Sequence, residues 1–566
     1  GLTAAPSYAQ AAVGSAAVNT WYVRPIGACA NNGDGLAYGC AASAGAAGAF
    51  IGFSNVIWTA TVGVDDGDTL YVCGTHNNSS LIISAAATVT SRITVSYSCL
   101  NDAGLSRMIE ETTSAYTAGN WTNESGNLWY LSVAAYNLGD PKRIWANGVE
   151  LFPSNTKVNL GTSVSGGPVG TFWYDSGTAR IYLYSTANPA TTFSLFETLL
   201  VATSGQYAAV RFNSAAAYID LVNPNLQGGN LGAVYVLGSS NIRIYGTASD
   251  DSTCHVGGYS TRGVLITDTN ANGTGTISSD ALVQDCTIDP FIPTSHGGYR
   301  WEINWAIGDG VAFLHGTING QLRSSTLTNW PHAHVYIAAV VGTLSVTNNS
   351  VTENTMTMED HVSYGRGVGI AGTTVGRATG NVVAYNDFSN FPIRTQLNGD
   401  HNYIYGNTFR NQRPDIVYSN RTESIEMQGT TLTVSESNIV ANNTFYNNPY
   451  APCISLRGSD LTKTVTGNVY VNNLLINCGG PTYASGYEDT AIVEQTTGTG
   501  VGDNIFKNNV IYSSGNTTTI FYKATGKTTV AGWQAACSGD ICTSNLVSNP
   551  LTISSTDMNL QPLSPA

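Results

Sequence analysis

The stretch at residues 440–447, VANNTFYN, is one copy of a phrase that returns along the chain: an apolar residue, two variable residues, Asn, one variable residue and an apolar residue. Further copies occupy residues 383–390, 404–411, 470–477 and 506–513, with looser ones at 283–289, 322–329 and 346–353. The Asn place then falls at Cys286, Ser325, Asn349, Asn386, Asn407, Asn443, Asn473 and Asn509, with separations of 39, 24, 37, 21, 36, 30 and 36 residues. A fixed phrase with filler of variable length is typical of a solenoid whose turns share a corner and differ in their loops.

A right-handed parallel β-helix fits this repeat best, because its turns of about 20 or more residues consist of short strands and tight bends. Amides at a shared corner then bond to the amides of the turns above and below. At these residues the chain resembles the parallel β-helix superfamily of polysaccharide lyases, glycoside hydrolases, epimerases and phage tailspikes, over most of residues 206–545. The resemblance implies a carbohydrate-active protein, and the tailspikes among its members imply a homotrimer as one form of association.

The composition supports a protein of strands and turns and argues against a general binder of nucleic acid or anionic membranes. Only 11% of the residues are charged, whereas Gly (61) and Tyr (30) are abundant. The net charge of −14 opposes approach to phosphate, so we expect neither a general nucleic-acid binder nor a protein of anionic membranes. We also expect no membrane insertion, and an extracellular polysaccharide as the partner.

The ten cysteines fall into five pairs of near neighbours along the chain. Two of the five separations, 26 and 25 residues, are about one turn of such a helix, so those bridges would join adjacent turns. We interpret the pattern as disulfides of a protein secreted to the extracellular space or the periplasm; ten reduced buried thiols are the alternative. The predicted pairs are Cys29–Cys40, Cys73–Cys99, Cys254–Cys286, Cys453–Cys478 and Cys537–Cys542.

The sequence pattern changes along the chain and predicts an all-β protein with five segments. The Asn phrase is absent from about residue 106 to residue 205. Strands of alternating apolar and polar residues, joined by Asn-Gly and Ser-Gly turns, take its place there, which is typical of antiparallel hairpins. We predict a signal-peptide remnant or linker at 1–20, an N-terminal cap with first turns at 21–105, an inserted antiparallel β-domain at 106–205, the parallel β-helix at 206–545 and a C-terminal tail at 546–566.

The strands that follow each corner, at 310–316, 366–372, 393–399, 424–429 and 454–458, predict one sheet with an apolar and a polar face. Alternation with period two sends one set of side chains inward: Leu314, Val368, Ile370, Thr395, Leu397, Ile425, Met427, Ile454 and Leu456. The outward set is His315, Gly367, Gly369, Arg394, Gln396, Asn398, Glu426, Gln428, Ser455 and Arg457, with His334 and Tyr336 alongside. The two glycines predict a shallow trough for a sugar ring; an ordinary polar surface is the alternative.

The outward side chains include the groups that β-elimination on a uronate-containing polysaccharide requires. A guanidinium neutralises the C6 carboxylate, so Arg394 and Arg457 are the candidate neutralisers. His334, Tyr336 and His361 are the candidates for proton transfer. The side chains expected to bind substrate are Gln396, Asn398, Gln428, Arg366 and Asp400.

Residues 420–429 (NRTESIEMQG) are similar to the Glu-rich strand of alginate and chondroitin B-type lyases, where carboxylates hold Ca²⁺. The similarity implies Glu423 and Glu426 as calcium ligands. The Asn-Lys-Ser catalytic phrase of those lyases does not occur in this chain.

Two other functions remain open from the sequence. Hydrolysis by paired carboxylates would use Glu426 with Asp400 or Asp360, which lie on neighbouring turns. A non-catalytic adhesin, tail fibre or structural filament would use the solenoid only as a rod. An enzyme differs from a rod in bringing its acid, base and neutralising cation together in one cleft.

Overall fold

Three long parallel sheets dominate the computed structural model. The described residues are 19–59, 63–100, 102–111, 118–132, 143–147, 149–151, 154, 156–162, 171–193, 196–199, 208–214, 216–248, 253–258, 260–290, 308–358, 366–373, 375–391, 395–412, 423–429, 435–458, 465–480, 489–495, 501–514, 519–522, 526–537 and 540–549. Successive turns of the chain visit the three sheets in the same order. The predicted all-β, right-handed parallel β-helix is therefore confirmed.

The third sheet visited in each turn carries most of the predicted site, and its 13 strands are labelled here. They are β1 (Leu81–Ile83), β2 (Ala208–Phe212), β3 (Gly232–Leu237), β4 (Val264–Thr267), β5 (Asp309–Leu314), β6 (Ala333–Ala338), β7 (Arg366–Ala371), β8 (Thr395–Asn398), β9 (Ile425–Gly429), β10 (Ile454–Gly458), β11 (Thr490–Gln495), β12 (Thr519–Tyr522) and β13 (Gly526–Thr529). Neighbours in this order are hydrogen-bonded, and all pairs are parallel except the terminal hairpin of β12 and β13.

The first sheet consists of 19 strands: Thr20–Arg24, Phe50–Ile51, Thr69–Val72, Ile93–Ser96, Ala217–Val222, Ser240–Tyr245, Ser278–Ser279, Leu282–Gln284, Thr317–Ile318, Gln321–Arg323, Val346–Thr347, Ser350–Thr352, Ala378–Thr379, Val382–Ala384, Tyr403–Tyr405, Ile439–Ala441, Val469–Val471, Ile505–Lys507 and Ile541–Thr543. A small sheet beside it consists of Ser435–Glu436, Val465–Thr466 and Val501–Gly502.

The second sheet has 16 strands: Thr75–Asn77, Leu105–Glu111, Ile144–Ala146, Val149–Glu150, Phe196–Leu199, Asn225–Gly228, His255–Gly258, Thr287–Ile288, Thr326–Thr328, Thr355–Thr357, Asp387–Ser389, Thr408–Arg410, Thr444–Asn448, Leu474–Cys478, Val510–Tyr512 and Leu546–Val547. The α-helices are α1 (Pro189–Thr192) and α2 (Val530–Ala536), and short 3₁₀ helices cover Phe53–Asn55, Ala118–Asn120 and Lys157–Asn159.

Antiparallel strands do occur in the second hundred residues. Trp121–Ser125, Leu128–Ser132, Phe172–Asp175 and Arg180–Tyr184 form a four-stranded antiparallel sheet. Its apolar side chains form a cluster of their own, separate from the core inside the solenoid. The edges of the five predicted segments stay predictions.

Two Asn ladders, rather than one, hold the corners on either side of the short first-sheet strands. In one ladder the side-chain amide of Asn386 donates to Oδ1 of Asn407 at 3.0 Å, and this pattern continues to Asn545. The second ladder runs from Asn349 through Asn381, Asn402, Asn438 and Asn468 to Asn504. Every rung is buried, so its hydrogen bonds satisfy groups that water cannot reach.

The assignment of Asn349 to the same ladder as Asn386 is wrong. The backbone N–H of Ser325 donates to Asn354 Oδ1 at 3.0 Å, and Asn354 in turn binds Asn386. The phrase fits twice in this turn, as VTNNSV at 346–351 and as VTENTM at 351–356, because both corners use the same chemistry. The first fit belongs to the second ladder.

All five predicted disulfide pairs are confirmed: Cys29–Cys40, Cys73–Cys99, Cys254–Cys286, Cys453–Cys478 and Cys537–Cys542. Cys254 and Cys286 stand just before two second-sheet strands that pair with each other, so this bridge joins adjacent turns. The bridges fit folding in an oxidising compartment. Among the described residues, no helix is long and apolar enough to cross a membrane.

The inward faces of the sheets form one continuous apolar core. It contains Val368, Ile370, Ile425, Met427, Ile454 and Leu456, as the alternation predicted. Leu314 is an exception, because Phe313 points inward and Leu314 packs against an outer apolar cluster with Ala312 and Leu265. The inward prediction for Leu314 is therefore wrong by one residue.

Candidate functional site

The outer face of the third sheet changes from apolar to polar midway along the solenoid. On the earlier strands β3, β4 and β5 the outward side chains Tyr235, Leu265 and Ala312 form a buried apolar cluster. Beyond them the row continues through Tyr336, Gly369, Glu426 and Ser455, with the backbone of Gln396 in register between Gly369 and Glu426. Apolar and polar side chains thus meet midway along this face, a combination that ligand sites also show.

Asp309 and His332 form a hydrogen-bonded pair at the start of this polar region. Asp309 opens β5, and His332 stands just before β6, the next strand of the sheet. His332 Nδ1 lies 2.7 Å from Asp309 Oδ1, while the Nε atom of Arg262 lies 3.2 Å from Asp309 Oδ2. Both partners thus bind the same carboxylate, one at each oxygen.

The environment keeps the Asp309 carboxylate ionised. Burial by itself raises the pKa of Asp309, but the neighbouring His332 and Arg262 charges and their hydrogen bonds outweigh it, so the pKa lies below its ordinary value. An ionised Asp309 fixes the imidazole of His332 with Nδ1–H towards the carboxylate. The Nε2 atom of His332 is then the nitrogen that can accept a proton.

Arg366 and Tyr336 complete this group. Nη1 of Arg366 lies 3.4 Å from His332 Nε2, and the rings of His332 and Tyr336 meet edge to face with centroids 4.9 Å apart. Arg366 opens β7, so neighbouring turns supply the carboxylate, the imidazole and this guanidinium. We call Asp309, His332, Arg366, Tyr336 and Arg262 the His332 cluster.

His334, which was predicted to face outward, is buried inside the corner instead. Its Nδ1 and Nε2 atoms lie 3.3 Å and 3.1 Å from the carbonyl oxygens of Arg366 and Thr357, and its ring packs edge to face on Phe391. Burial lowers the pKa of His334 to about 4. The outward prediction is wrong because the chain turns the corner here, where strict alternation does not yet hold.

Only one of the two glycines that were predicted to line a trough faces the outer surface. A side chain at Gly369 would touch the Tyr336 ring at 2.8 Å, so Gly369 does face the outer surface. A side chain at Gly367 would meet Phe388 of the core at 2.6 Å, so Gly367 faces inward and that prediction is wrong. The absence of a side chain at Gly369 therefore lets the ring of Tyr336 lie over its backbone, which is buried.

Glu426 and Ser455 are neighbours on the outer side of β9 and β10, and both are buried. Glu423, just before β9, is buried too. Along the sheet, β9 is three strands beyond β6, which corresponds to about 14 Å at the usual strand spacing. Glu426 and Tyr336 are therefore too far apart to act at a single bond.

The described part of the chain shows no cluster of acidic side chains that would complete the predicted calcium site. There, no group of three or more His, Cys, Asp or Glu side chains is arranged to hold a metal ion, whereas Ca²⁺ takes six to eight oxygen ligands. Calcium at Glu423 and Glu426 stays a prediction, and no chemical step below is assigned to a metal.

Asp400 lies at a different corner, after β8, where the chain enters the first sheet. Its Oδ2 atom is 2.9 Å from Arg377 Nη1 and 3.3 Å from His401 Nδ1. This ion-paired position does not bring Asp400 into the His332 cluster.

Several predicted site residues cannot be placed with their side chains. Arg394, Asp360 and His361 lie outside the described residues. For four others the structure describes the backbone and the strand that carries it: Gln396, Asn398, Gln428 and Arg457.

Sequence reasoning missed His332, Asp309 and Arg262. His332 and His334 are two residues apart, so alternation alone assigns both side chains to the same face. His334 lies within β6 and was considered, whereas His332 lies just before the strand. Asp309 between two glycines reads as a turn residue. Arg262 lies close to Asp309 only because of the register between neighbouring strands, which the sequence does not reveal.

Solved structures with the same architecture are distant in sequence. A glycoside hydrolase is 11% identical, over 75% of this chain and 90% of its own, with a TM-score of 0.41. The Dettilon tailspike protein is 16% identical, over 56% of this chain and 49% of its own, with a TM-score of 0.34. A mannuronic acid specific family 6 polysaccharide lyase from human gut microbiota is 11% identical, over 80% and 82%, with a TM-score of 0.32.

No protein-family profile matches the chain, and no curated protein sequence matches it. The assignment of the fold therefore rests on the parallel sheets and the Asn ladders themselves.

Proposed function

We propose that this protein is a secreted or periplasmic enzyme that cleaves a uronate-containing polysaccharide by β-elimination. The observation that carries the proposal is the His332 cluster, where an oriented imidazole, a guanidinium and a phenol meet on one outer face. These are the three kinds of group that the reaction requires. The following strands β8, β9 and β10 of the same sheet then supply the binding positions Gln396, Asn398, Gln428, Glu426 and Arg457.

In the proposed reaction His332 is the base. Asp309 holds Nδ1–H, so Nε2 takes the proton from C5 of the uronate. The electron pair of that C–H bond forms the C4–C5 double bond, and the bond from C4 to the glycosidic oxygen breaks. Tyr336 donates its hydroxyl proton to the leaving oxygen, and His332 then returns a proton to the Tyr336 oxygen, which restores both groups.

Arg366 supplies the positive charge for the substrate carboxylate. Its guanidinium lies beside His332 Nε2, which places it next to the atom that receives the proton. A carboxylate bound by two parallel N–H donors makes the adjacent C5 proton more acidic, because the negative charge that develops in the transition state is stabilised. Arg262 already binds Asp309, so it acts on the substrate only through that carboxylate.

The arrangement supports hydrolysis less well. A glycosidase needs two carboxyl groups about 5 to 10 Å apart across one bond. Asp309 is bound to His332 and Arg262, and Glu426 is four strands away from it along the sheet. Asp309 and Glu426 thus do not form such a pair.

The first test is a screen of the purified protein against alginate, pectate, glycosaminoglycans and neutral glucans. Absorbance of unsaturated uronate and release of reducing ends are read in parallel. A lyase gives both signals on a uronate polymer. Reducing ends without the absorbance identify a hydrolase instead, and silence in both with a folded protein leaves a binding or structural function; either result refutes the proposal.

On the polymer that gives a signal, the variant His332→Gln tests whether the His332 cluster, rather than another part of this face, carries the activity. We expect a loss of turnover of about 100-fold or more, as is usual when a general base is removed. His401→Gln is the matched control, because His401 is an exposed histidine at another corner. Equal activity of the two variants would remove His332 from the mechanism. Assembly as a homotrimer stays a separate prediction.

A further inference from the structure

A second feature lies on the first sheet, on a different side of the solenoid from the His332 cluster. Tyr385 is 55% exposed and Tyr403 is 39% exposed, and Tyr405 stands beside them. The rings of Tyr385 and Tyr405 meet at 88° with centroids 5.3 Å apart. These three side chains form an aromatic surface that the core does not use.

The backbone under Tyr385 is unusual for a bulky residue. Tyr385 has a φ of 59°, in the left-handed region where Gly, Asn and Asp are tolerated and large side chains are disfavoured. Each turn has such a residue just before the first Asn ladder. The other members of this column are Asp285, Ser324, Glu353, Gly406, Asn442, Asn472, Asn508 and Ser544, none of which is aromatic.

The next turns leave room around the ring. A side chain at Gly406 would touch the Tyr385 ring at 2.7 Å, so Gly406 provides the floor on which the ring lies. On the strand of the first sheet, Tyr405 stands between Ala384 and Ala441, which are both small. The ring of Tyr385 is thus held in place from below while more than half of its surface faces solvent.

Burial does not account for a tyrosine in this position. A disfavoured backbone conformation at an exposed side chain is retained where it serves a function more often than where it serves stability. Tyrosine offers an apolar ring face and a polar hydroxyl, which matches a pyranose ring with its C–H face and hydroxyl edge.

We propose that Tyr385, Tyr405 and Tyr403 form a non-catalytic binding site for the pyranose rings of a polysaccharide chain. The site is independent of the reaction at the His332 cluster, because it lies on another sheet and its binding needs no turnover. It would keep the protein on a polymer while the third sheet acts.

The test uses Tyr385→Asn, because Asn occupies the equivalent place in the turns of Asn442, Asn472 and Asn508. Wild type and variant are run in native gels containing alginate, pectate or a soluble neutral glucan. We expect the polymer that retards the wild type to retard the variant about two- to tenfold less strongly. The melting temperature of the variant should equal or exceed that of the wild type, since the left-handed conformation suits Asn better.

A matched control is Tyr450→Ser, which removes another exposed tyrosine away from this surface. It should leave the retardation unchanged. A lower melting temperature for Tyr385→Asn would show that the ring has a structural role and would overturn the proposal. Unchanged retardation of Tyr385→Asn, or a wild type that none of the three polymers retards, would overturn it as well.

Discussion

The Nδ1 atom of His332 lies 2.7 Å from Oδ1 of Asp309, and the next strand places Arg366 beside the other ring nitrogen. A carboxylate, an imidazole and a guanidinium from successive turns are thus aligned in one direction. This alignment needs no loop of its own, because the parallel register of β5, β6 and β7 sets it.

Asp309→Asn tests whether the carboxylate orients the base. We expect turnover to fall by about 100-fold or more with a small change in KM, because an amide no longer fixes the tautomer that leaves Nε2 able to accept a proton. Steady-state kinetics measures both constants.

The control for that substitution is Asp387→Asn, which removes a carboxylate paired with Arg410 on the second sheet. It should leave the kinetics unchanged. A large rise in KM together with a lower melting temperature for Asp309→Asn would argue for a structural role of Asp309.

Arg366→Lys tests the need for a planar guanidinium. Lysine keeps the positive charge but cannot bind a carboxylate through two parallel donors, so we expect turnover on the uronate polymer to fall by about tenfold or more. Arg410→Lys makes the same exchange at an ion pair outside the cluster and should have no such effect. Full activity of Arg366→Lys would mean that charge alone, or another group, neutralises the substrate.

The fold could be predicted from the sequence to a much greater depth than the site. The Asn phrase marks buried corners whose amides must bond to one another, so a few residues per turn specify the solenoid. The same rule assigned Val368, Ile370 and Met427 to the core. At Leu314 alternation was applied one residue out of register, since Phe313 points inward. At His334 it failed because this residue lies at the corner where β6 begins.

The site depends on which strands of successive turns lie next to each other and in what register. The loops between the corners vary in length, so this register cannot be inferred from the sequence. Arg262 and Asp309 are 47 residues apart, yet Arg262 stands just before β4 and Asp309 opens β5, which pairs with β4. Tyr336 was found because it follows the alternating pattern within a strand. His332 was not, because it precedes the strand and its orientation comes from Asp309.

Asn443→Ala tests the ladder as the source of stability. The amide of Asn443 accepts from Asn407 and donates to Asn473 and to the carbonyl of Ile404, and all of these groups are buried. Its removal leaves several polar groups without partners, at about 1 to 3 kcal/mol each, so we expect a loss of at least about 3 kcal/mol in the free energy of unfolding.

Asn443→Ser is the graded comparison for that variant. In an earlier turn Ser325 fills the same place, and its Oγ atom accepts from the N–H of Cys286 at 3.2 Å. Serine at 443 should therefore lose less stability than alanine. Chemical denaturation of both variants checks the order, and equal losses would mean that the side-chain volume rather than the hydrogen bonding matters.

The buried His334 predicts that the solenoid loses stability between pH 6.5 and pH 4. Burial lowers its folded pKa from the ordinary 6.5 to about 4, so the unfolded chain binds the proton first as the pH falls. Stability from this group is complete above pH 6.5 and is lost down to about pH 4, by about 3 kcal/mol in total.

His334→Gln should therefore unfold more easily at pH 7 but show a shallower fall of melting temperature across this window. His255→Gln, at an exposed histidine, should keep the wild-type slope, and an unchanged slope in His334→Gln would show that other groups set the acid sensitivity.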